Sequence, residues 1–261
     1  MPESSANIAD AVYQSRRTGL CIPPLSLTYG LSDVDEAYRV QEINTRRRID
    51  EGARRVGRKI GLTSKTVQAQ LGVDQPDFGV LFDDMQFASG ETLPMKRLMQ
   101  PRIEAEIAFV LEHDLVEPNT SWSALEGAIG YAVAAAEVVD SAIADWKITL
   151  ADTIADNASC GLFVLGEQER KLGDFDPRLC SMVLSRNGEE VSVGTGAACL
   201  GHPLRAVKWL ADMSVRLGDP LRRGEIILSG ALGPMVDVAP NDTFTIEVGG
   251  FGALTVPFSA E

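Results

Sequence analysis

An α+β fold with a mixed, largely antiparallel β-sheet core is what the order of elements in this chain predicts. Helical patterns come first and strand patterns later, without the regular alternation of strand and helix that builds a doubly wound sheet. The dipeptide Asn187-Gly188 sits between LCSMVLSR and EEVSVG, a strong hairpin signal. At 261 residues with 45% hydrophobic content, the chain can bury a sizeable core.

Taken in order, residues 7–18 read as an amphipathic helix ending at Gly19. Ser32, with Asp35 three residues on, opens a second helix carrying Val34, Ala37, Val40 and Ile43. These form an N-terminal helical segment, residues 1–55, ahead of a β-rich unit over residues 56–261. RRVGRKIGLTS is a short strand running into Ser64, the expected cap of a helix over KTVQAQL that stops at Gly72. A loop containing Pro76 and Gly79 follows, then the stretches PRIEAEIAFVL and YAVAAAEVVD, separated by a helix that Ser121 caps. Beyond residue 160 the chain is mostly strand, with EIILSG, TFTIEV and ALTVPF in the tail. One helix interrupts, opening at Pro203 and closing at Gly218.

Composition narrows the function. A formal net charge of -13 disfavours nucleic acid and anionic membrane as partners, while leaving room for a small anion held through a metal or a local cation. No apolar segment is suited to span a bilayer, and MPESSANIAD lacks the regions of a signal peptide, so the expected setting is cytoplasmic. Cys21, Cys160, Cys180 and Cys199 lack CxxC spacing, which argues against a zinc site or a disulfide scaffold. GTGAACLG begins like a dinucleotide fingerprint but has Cys199 at the sixth position and follows a hairpin. No Walker loop or GxSxG elbow occurs. The two histidines are His113 and His202, and His202 precedes Pro203 at a helix start, a capping position.

Three carboxylates stand out. Strand alternation puts Glu104 and Glu106 on one face, and that spacing alone more often marks a solvated face of a half-buried sheet. Glu137 shifts the balance, because it lies in a continuous apolar run of the kind buried on both faces. An anion there must be paired, protonated or bound to metal. Oxygen ligands without His or Cys suit Mg²⁺ or Mn²⁺ better than zinc. Lys59, between Val56 and Ile60, is either a partly buried cation aimed at a substrate carboxylate or a lysine that snorkels to the surface. Asp77 lies between Pro76 and Gly79 in an expected loop, where it either shapes a site or turns the chain. ADTIADNASCG offers Asp156 and Asn157, whose default role is to cap or turn, and Ser159, a hydrogen-bond donor.

Several segments, in order and over nearly the whole chain, resemble the 2-keto-4-pentenoate (2-hydroxypenta-2,4-dienoate) hydratases. They are GRKIGLTSKTVQAQLGVDQPDFGVLFDDM (57–85), QPRIEAEIAFVL (100–111), AAEVVD (135–140), DTIADNASCG (152–161), CLGHPL (199–204) and GEIILSGALGPM (224–235). The wider group is similar to the C-terminal domain of fumarylacetoacetate hydrolase and includes 4-oxalocrotonate decarboxylases. The resemblance implies sheets wrapped into a roll or distorted barrel, homo-oligomeric assembly, and a divalent metal, Mg²⁺ or Mn²⁺, on Glu104, Glu106 and Glu137. It places Lys59 on the family's active-site lysine, and Asp77 and Ser159 on polar positions of the substrate pocket.

The implied reaction is hydration of a small 2-hydroxydienoate in aromatic meta-cleavage catabolism. Lys59 anchors the carboxylate and is a candidate proton donor, and Asp77 orients water. Rival readings are a decarboxylase of 4-oxalocrotonate type, a carbon–carbon hydrolase for which the histidines lie in the wrong motifs, and a non-enzymatic subunit that associates with another pathway enzyme.

Overall fold

A computed structural model describes residues 5–65, 68–69 and 72–261. The expected helix over residues 65–71 falls partly outside these. Helices α1 (Ser5–Thr18), α2 (Leu25–Thr28) and α3 (Val34–Asp50) come first. They are followed by β1 (Arg55–Gly61), β2 (Asp77–Phe82), β3 (Gln86–Ala88), β4 (Pro101–Leu111), α4 (Trp122–Ala128), β5 (Ile129–Asp140), α5 (Leu150–Ala155) and β6 (Cys160–Leu165). The C-terminal part holds β7 (Ser181–Arg186), β8 (Glu189–Thr195), α6 (Pro203–Arg216), β9 (Ile226–Leu228), β10 (Val236–Asp237), β11 (Thr243–Val248) and β12 (Ala253–Pro257).

The strands form two sheets. The larger runs β2-β1-β9-β4-β5-β6-β3, with β10 also on β4, and the smaller runs β12-β11-β7-β8. Two pairings, β1–β9 and β3–β6, are parallel, and the others are antiparallel, so the core is the expected mixed, largely antiparallel one. The longest ladder joins β4 to β5, from Pro101 opposite Asp140 to Leu111 opposite Ile129. On one face of this ladder Ile103, Ala105, Ile107, Phe109, Ala134, Ala136 and Val138 join a core shared with the N-terminal helices, α6 and the small sheet. On the other face Ala108, Val133 and Ala135 pack with Leu81, Phe82, Phe163 and Leu228.

The large sheet is strongly curled, and one ion pair demonstrates it. Lys59 on β1 stands level with Leu228 and Ala108, three strand steps from β5, or about 14 Å across a flat sheet. Glu137 lies further along, opposite Glu104, yet its Oε1 is 2.9 Å from Lys59 Nζ. Flat strands cannot bring those side chains together, so the face carrying them is concave.

Local chemistry explains most element ends. Asn187 (φ 54°) and Gly188 (φ 87°) supply the two left-handed residues of the β7–β8 turn. His202 Nδ1 accepts the Leu204 N–H at 3.1 Å, the capping role expected for it. At α3 the cap is Asp33, not Ser32: its carboxylate accepts the Glu36 N–H at 2.7 Å and so satisfies a free helix donor. One further expectation changes. Asp77 belongs to β2, a strand buried along its length, because it pairs with Gly61, which has no side chain to fill the space its carboxylate needs. The polar run after residue 149 forms α5, held by a capping box in which Thr149 and Asp152 exchange hydrogen bonds.

The N-terminal helices are latched to the sheet by a buried charge cluster. Arg16 on α1 lies 2.7 Å from Asp156 Oδ1 and 3.3 Å from Asp140 Oδ2, and both carboxylates are fully buried. Asp140 also accepts the N–H groups of Met99 and Gln100, and Asp156 that of Ala142. Removing the arginine leaves two buried anions without their cation, the costly way to break such a cluster. Arg16→Ala is therefore expected to cost about 3 kcal/mol of stability, read as a lowered denaturant midpoint at unchanged slope.

Candidate metal centre

The register of β4 and β5 builds the centre of the concave face. Glu104 stands directly opposite Glu137, and Glu106 lies opposite Ala135 on the same face. Their carboxylate oxygens come within 4.8 Å of one another. Like charges across a ladder normally repel, and here Glu106 and Glu137 are also buried. Small neighbours, Ala108 and Ala135, leave the room that the carboxylates occupy.

Little in the chain balances these charges. Glu106 Oε2 accepts the Gly230 N–H at 2.7 Å, but its Oε1 has no hydrogen-bond partner. Glu137 has no aligned donor on either oxygen, its contact with Lys59 being an ion pair without good hydrogen-bond direction. Burial, then the field of Glu137, lifts the Glu104 carboxyl to about 7. Burial also pushes Glu106 well above the carboxylate range, with Glu137 and Glu104 adding to it.

Lys59 and Asp77 complete the cluster. Burial disfavours the Lys59 ammonium, but Glu137 and Asp77 outweigh it and hold its pKa above the usual lysine range. Asp77 is raised by burial and pulled back by Lys59 and by Thr153, whose hydroxyl donates to Oδ2 at 3.1 Å. Gly61 keeps these groups adjacent: a Cβ there would lie 2.2 Å from Asp77 Oδ1 and 3.4 Å from Lys59 Nζ.

Ser159 sits differently from the other sequence candidates. It closes a turn in which Asn157, Ala158 and Ser159 are all left-handed, with φ of 56°, 51° and 52°. Three such non-glycine residues in a row are strained and must be held by their surroundings. Asn157 provides that hold, its amide bonding the N–H and C=O of Val80 at 2.7 and 2.9 Å. The Ser159 hydroxyl is 3.4 Å from Asp156 Oδ2, in the Arg16 cluster. The structure thus brings Lys59, Asp77 and the three glutamates together and places Ser159 on the adjoining turn.

Two neighbours were not singled out from sequence. Thr153 gave no signal beyond its polar segment. Gly230 lies in the quoted run GEIILSGALGPM, and its setting is tertiary. Leu228 faces Ala108 whereas Val236 faces Ile103, so eight residues of the returning chain span five of β4 and three bulge out. The bulge turns the Gly230 N–H onto Glu106, at a φ of 105° that favours glycine, and a Cβ there would lie 2.3 Å from Thr63 Oγ1.

The arrangement fits a hard divalent cation. Four carboxylates, Asp77, Glu104, Glu106 and Glu137, face one ammonium, and two of the three clustered glutamates carry buried oxygens with no hydrogen-bond partner. An all-oxygen donor set without His or Cys matches Mg²⁺ or Mn²⁺.

Comparison with known proteins finds relatives along nearly the whole chain. The fumarylacetoacetate (FAA) hydrolase C-terminal family matches residues 48–259. The chain is 52% identical over 259 residues to the 2-keto-4-pentenoate hydratase of Paraburkholderia xenovorans (strain LB400), covering 99% of this chain and 96% of that one. It is 50% identical over 256 residues to the enzyme of the same name from Burkholderia vietnamiensis (strain G4 / LMG 22486), covering 98% of each. Among solved structures, the 4-oxalocrotonate decarboxylase from Pseudomonas putida G7, complexed with magnesium and adipate, superposes with a TM-score of 0.94 at 33% identity, covering 97% of each chain.

The raised carboxyls make the stability of the metal-free protein depend on pH. A group whose pKa rises on folding contributes stability that is present below its unfolded value and lost as pH passes its folded value. For Glu104 that window runs from the ordinary 4.5 to about 7, and Glu106 and Asp77 act in the same direction. His202, lowered by burial, opposes them and is half-exposed. The melting temperature of metal-free protein is expected to fall from about pH 5 to about pH 8, and Mn²⁺ should restore it most at the upper end, where its ligands are ionised. A metal-free melting temperature that climbs over this range would contradict the assignment.

Proposed function

Because the chain belongs to the fumarylacetoacetate hydrolase C-terminal family, we propose that it hydrates 2-hydroxypenta-2,4-dienoate (2-oxopent-4-enoate) to 4-hydroxy-2-oxopentanoate in aromatic meta-cleavage catabolism. The observation that carries this reading is 52% identity along the chain to a hydratase named for this acid. The clustered carboxylates, two of them with unpartnered buried oxygens, support it.

Glu104, Glu106 and Glu137 would hold Mg²⁺ or Mn²⁺. When bound, the cation supplies Lewis-acid stabilisation of the negative charge on the substrate's carboxylate and C2 oxygen. Lys59, kept as an ammonium by Glu137 and Asp77, is suited to anchor the carboxylate more than to give up a proton. Ketonisation moves a proton from the 2-hydroxyl towards C5 and leaves C4 electrophilic. Water then adds at C4, its proton is removed, and C3 gains one. Asp77, raised by burial and oriented by Thr153, is suited to that acid–base work. Ser159, on the strained turn beside β2 with its hydroxyl 3.4 Å from Asp156 Oδ2, is read as a substrate-pocket residue from the family resemblance.

A second reading, decarboxylation of 4-oxalocrotonate type, draws on the close superposition with that decarboxylase. Sequence identity, 52% against 33%, favours hydration. We also read the chain as a homo-oligomer, able to associate with another enzyme of the pathway, on the strength of the family resemblance, and as set in the cytoplasm on the sequence pattern given above. Among the described residues no helix is long and apolar enough to cross a membrane, and all four cysteines are free. Light scattering on the purified protein measures the oligomer directly.

Chelation is expected to abolish turnover of 2-hydroxypenta-2,4-dienoate, and Mg²⁺ or Mn²⁺ to restore it, with 4-hydroxy-2-oxopentanoate as product. Release of CO₂ in place of water addition would transfer the assignment to the decarboxylase reading. Asp77→Asn should lower kcat by about 10²–10⁴-fold while Mn²⁺ affinity stays within a few-fold. Lys59→Ala should impair substrate binding and turnover together, and near-wild-type turnover in that variant would remove the anchor role.

A further inference from the structure

Two cations act on Glu104: Lys59 and Arg102. Lys59 is buried and committed to Glu137. Arg102 precedes Glu104 by two residues on β4, on the same face and about 7 Å along the strand. Its side chain is 33% exposed, so it stands at the rim of the concave face where Lys59 lies at its floor.

The guanidinium is held ready but lightly used. Trp146 stacks on it with the ring centroid 4.6 Å away, and Trp146 is itself fixed through a hydrogen bond from Nε1 to the Gln100 carbonyl at 3.1 Å. Asp237, directly opposite on β10, accepts from Nε at 2.9 Å. That carboxylate is 83% exposed, which makes it a weak, exchangeable partner. On the outer edge Nη1 meets only the Met235 thioether at 3.8 Å among its described contacts. A planar fork fixed by a ring and one exposed acid, with its Nη edge free of carboxylate, matches bidentate capture of a carboxylate.

The charge of the whole protein explains why such a residue is needed. A chain of net charge -13 repels a small anion, and the centre itself gathers four carboxylates. A cation within a Debye length of the mouth reverses that field locally. We propose that Arg102 is the positioning residue that captures the carboxylate of the incoming 2-hydroxydienoate at the rim before it reaches Lys59 and the metal-binding glutamates. The identity of the acid rests on the hydratase reading; the capture role does not depend on the step of water addition.

The test uses full-length protein loaded with Mn²⁺. Binding of 2-oxopentanoate, a saturated acid that keeps the carboxylate and C2 oxygen, is followed by calorimetry, and turnover of the dienoate by steady-state kinetics over a salt series. Arg102→Gln is expected to weaken 2-oxopentanoate binding and raise KM by about tenfold with kcat within about twofold. Its kcat/KM should fall less steeply with salt than that of the wild type, because one attractive charge at the mouth has been removed. Asp237→Asn, which removes the competing acid, should tighten binding. Arg102→Gln that folds normally and keeps both affinity and salt slope overturns the proposal. Should that variant fail to fold, Asp237→Asn decides: tighter binding supports capture and unchanged binding overturns it. Arg102-dependent binding of 2-oxopentanoate without any dienoate hydration would retain this inference and discard the hydratase reading.

Discussion

An excess of buried negative charge on one sheet face is the constraint on which the rest of this structure turns. Glu104 and Glu137 meet across a ladder, Glu106 stands beside them, Asp77 closes the group, and a single ammonium answers all four. Coulomb repulsion and lost hydration both oppose such a cluster. Neighbouring residues act to tolerate it: alanines make room, Gly230 donates one N–H, and Gly61 lets an aspartate and a lysine approach. What remains unbalanced is the affinity for a hard cation that the proposed chemistry uses.

Holding this arrangement requires a frame that cannot relax. Opposing carboxylates would separate if β4 and β5 could slip, and the long ladder between them prevents it. The concave face is packed behind by the main core and closed at one edge by α5 and the left-handed turn after it. Arg16 ties that edge to α1 through Asp140 and Asp156. The N-terminal helices share the core of the sheet and brace the aspartate that contacts Ser159.

The site is graded from floor to rim. Lys59 is fully enclosed and already paired, whereas Arg102 stands a third exposed between an aromatic ring and an exposed acid. Both lie on the trio's face because strand alternation puts them there, and curling of the sheet sets their different depths. An anionic substrate and an acidic protein are reconciled by where the few cations sit, since net charge acts over distance and a guanidinium acts within a few ångströms.

By itself, the sequence determined the properties that local periodicity can encode. The order of the longest helices and strands, the Asn187-Gly188 hairpin, the shared face of Glu104 and Glu106, and the burial of Glu137 all follow from alternation and turn chemistry within a few residues. Resemblance along the chain extended this to the roles proposed for Lys59 and Asp77. Tertiary structure alone decided that Glu137 faces Glu104, that Asp77 opens a strand, that α5 precedes a strained turn, and that Gly230 reaches Glu106 across 124 residues. Alternation specifies which face a side chain takes. Which strand lies beside it, in what register and on how curved a sheet, is set by contacts between distant segments, and that choice turned scattered carboxylates into one centre.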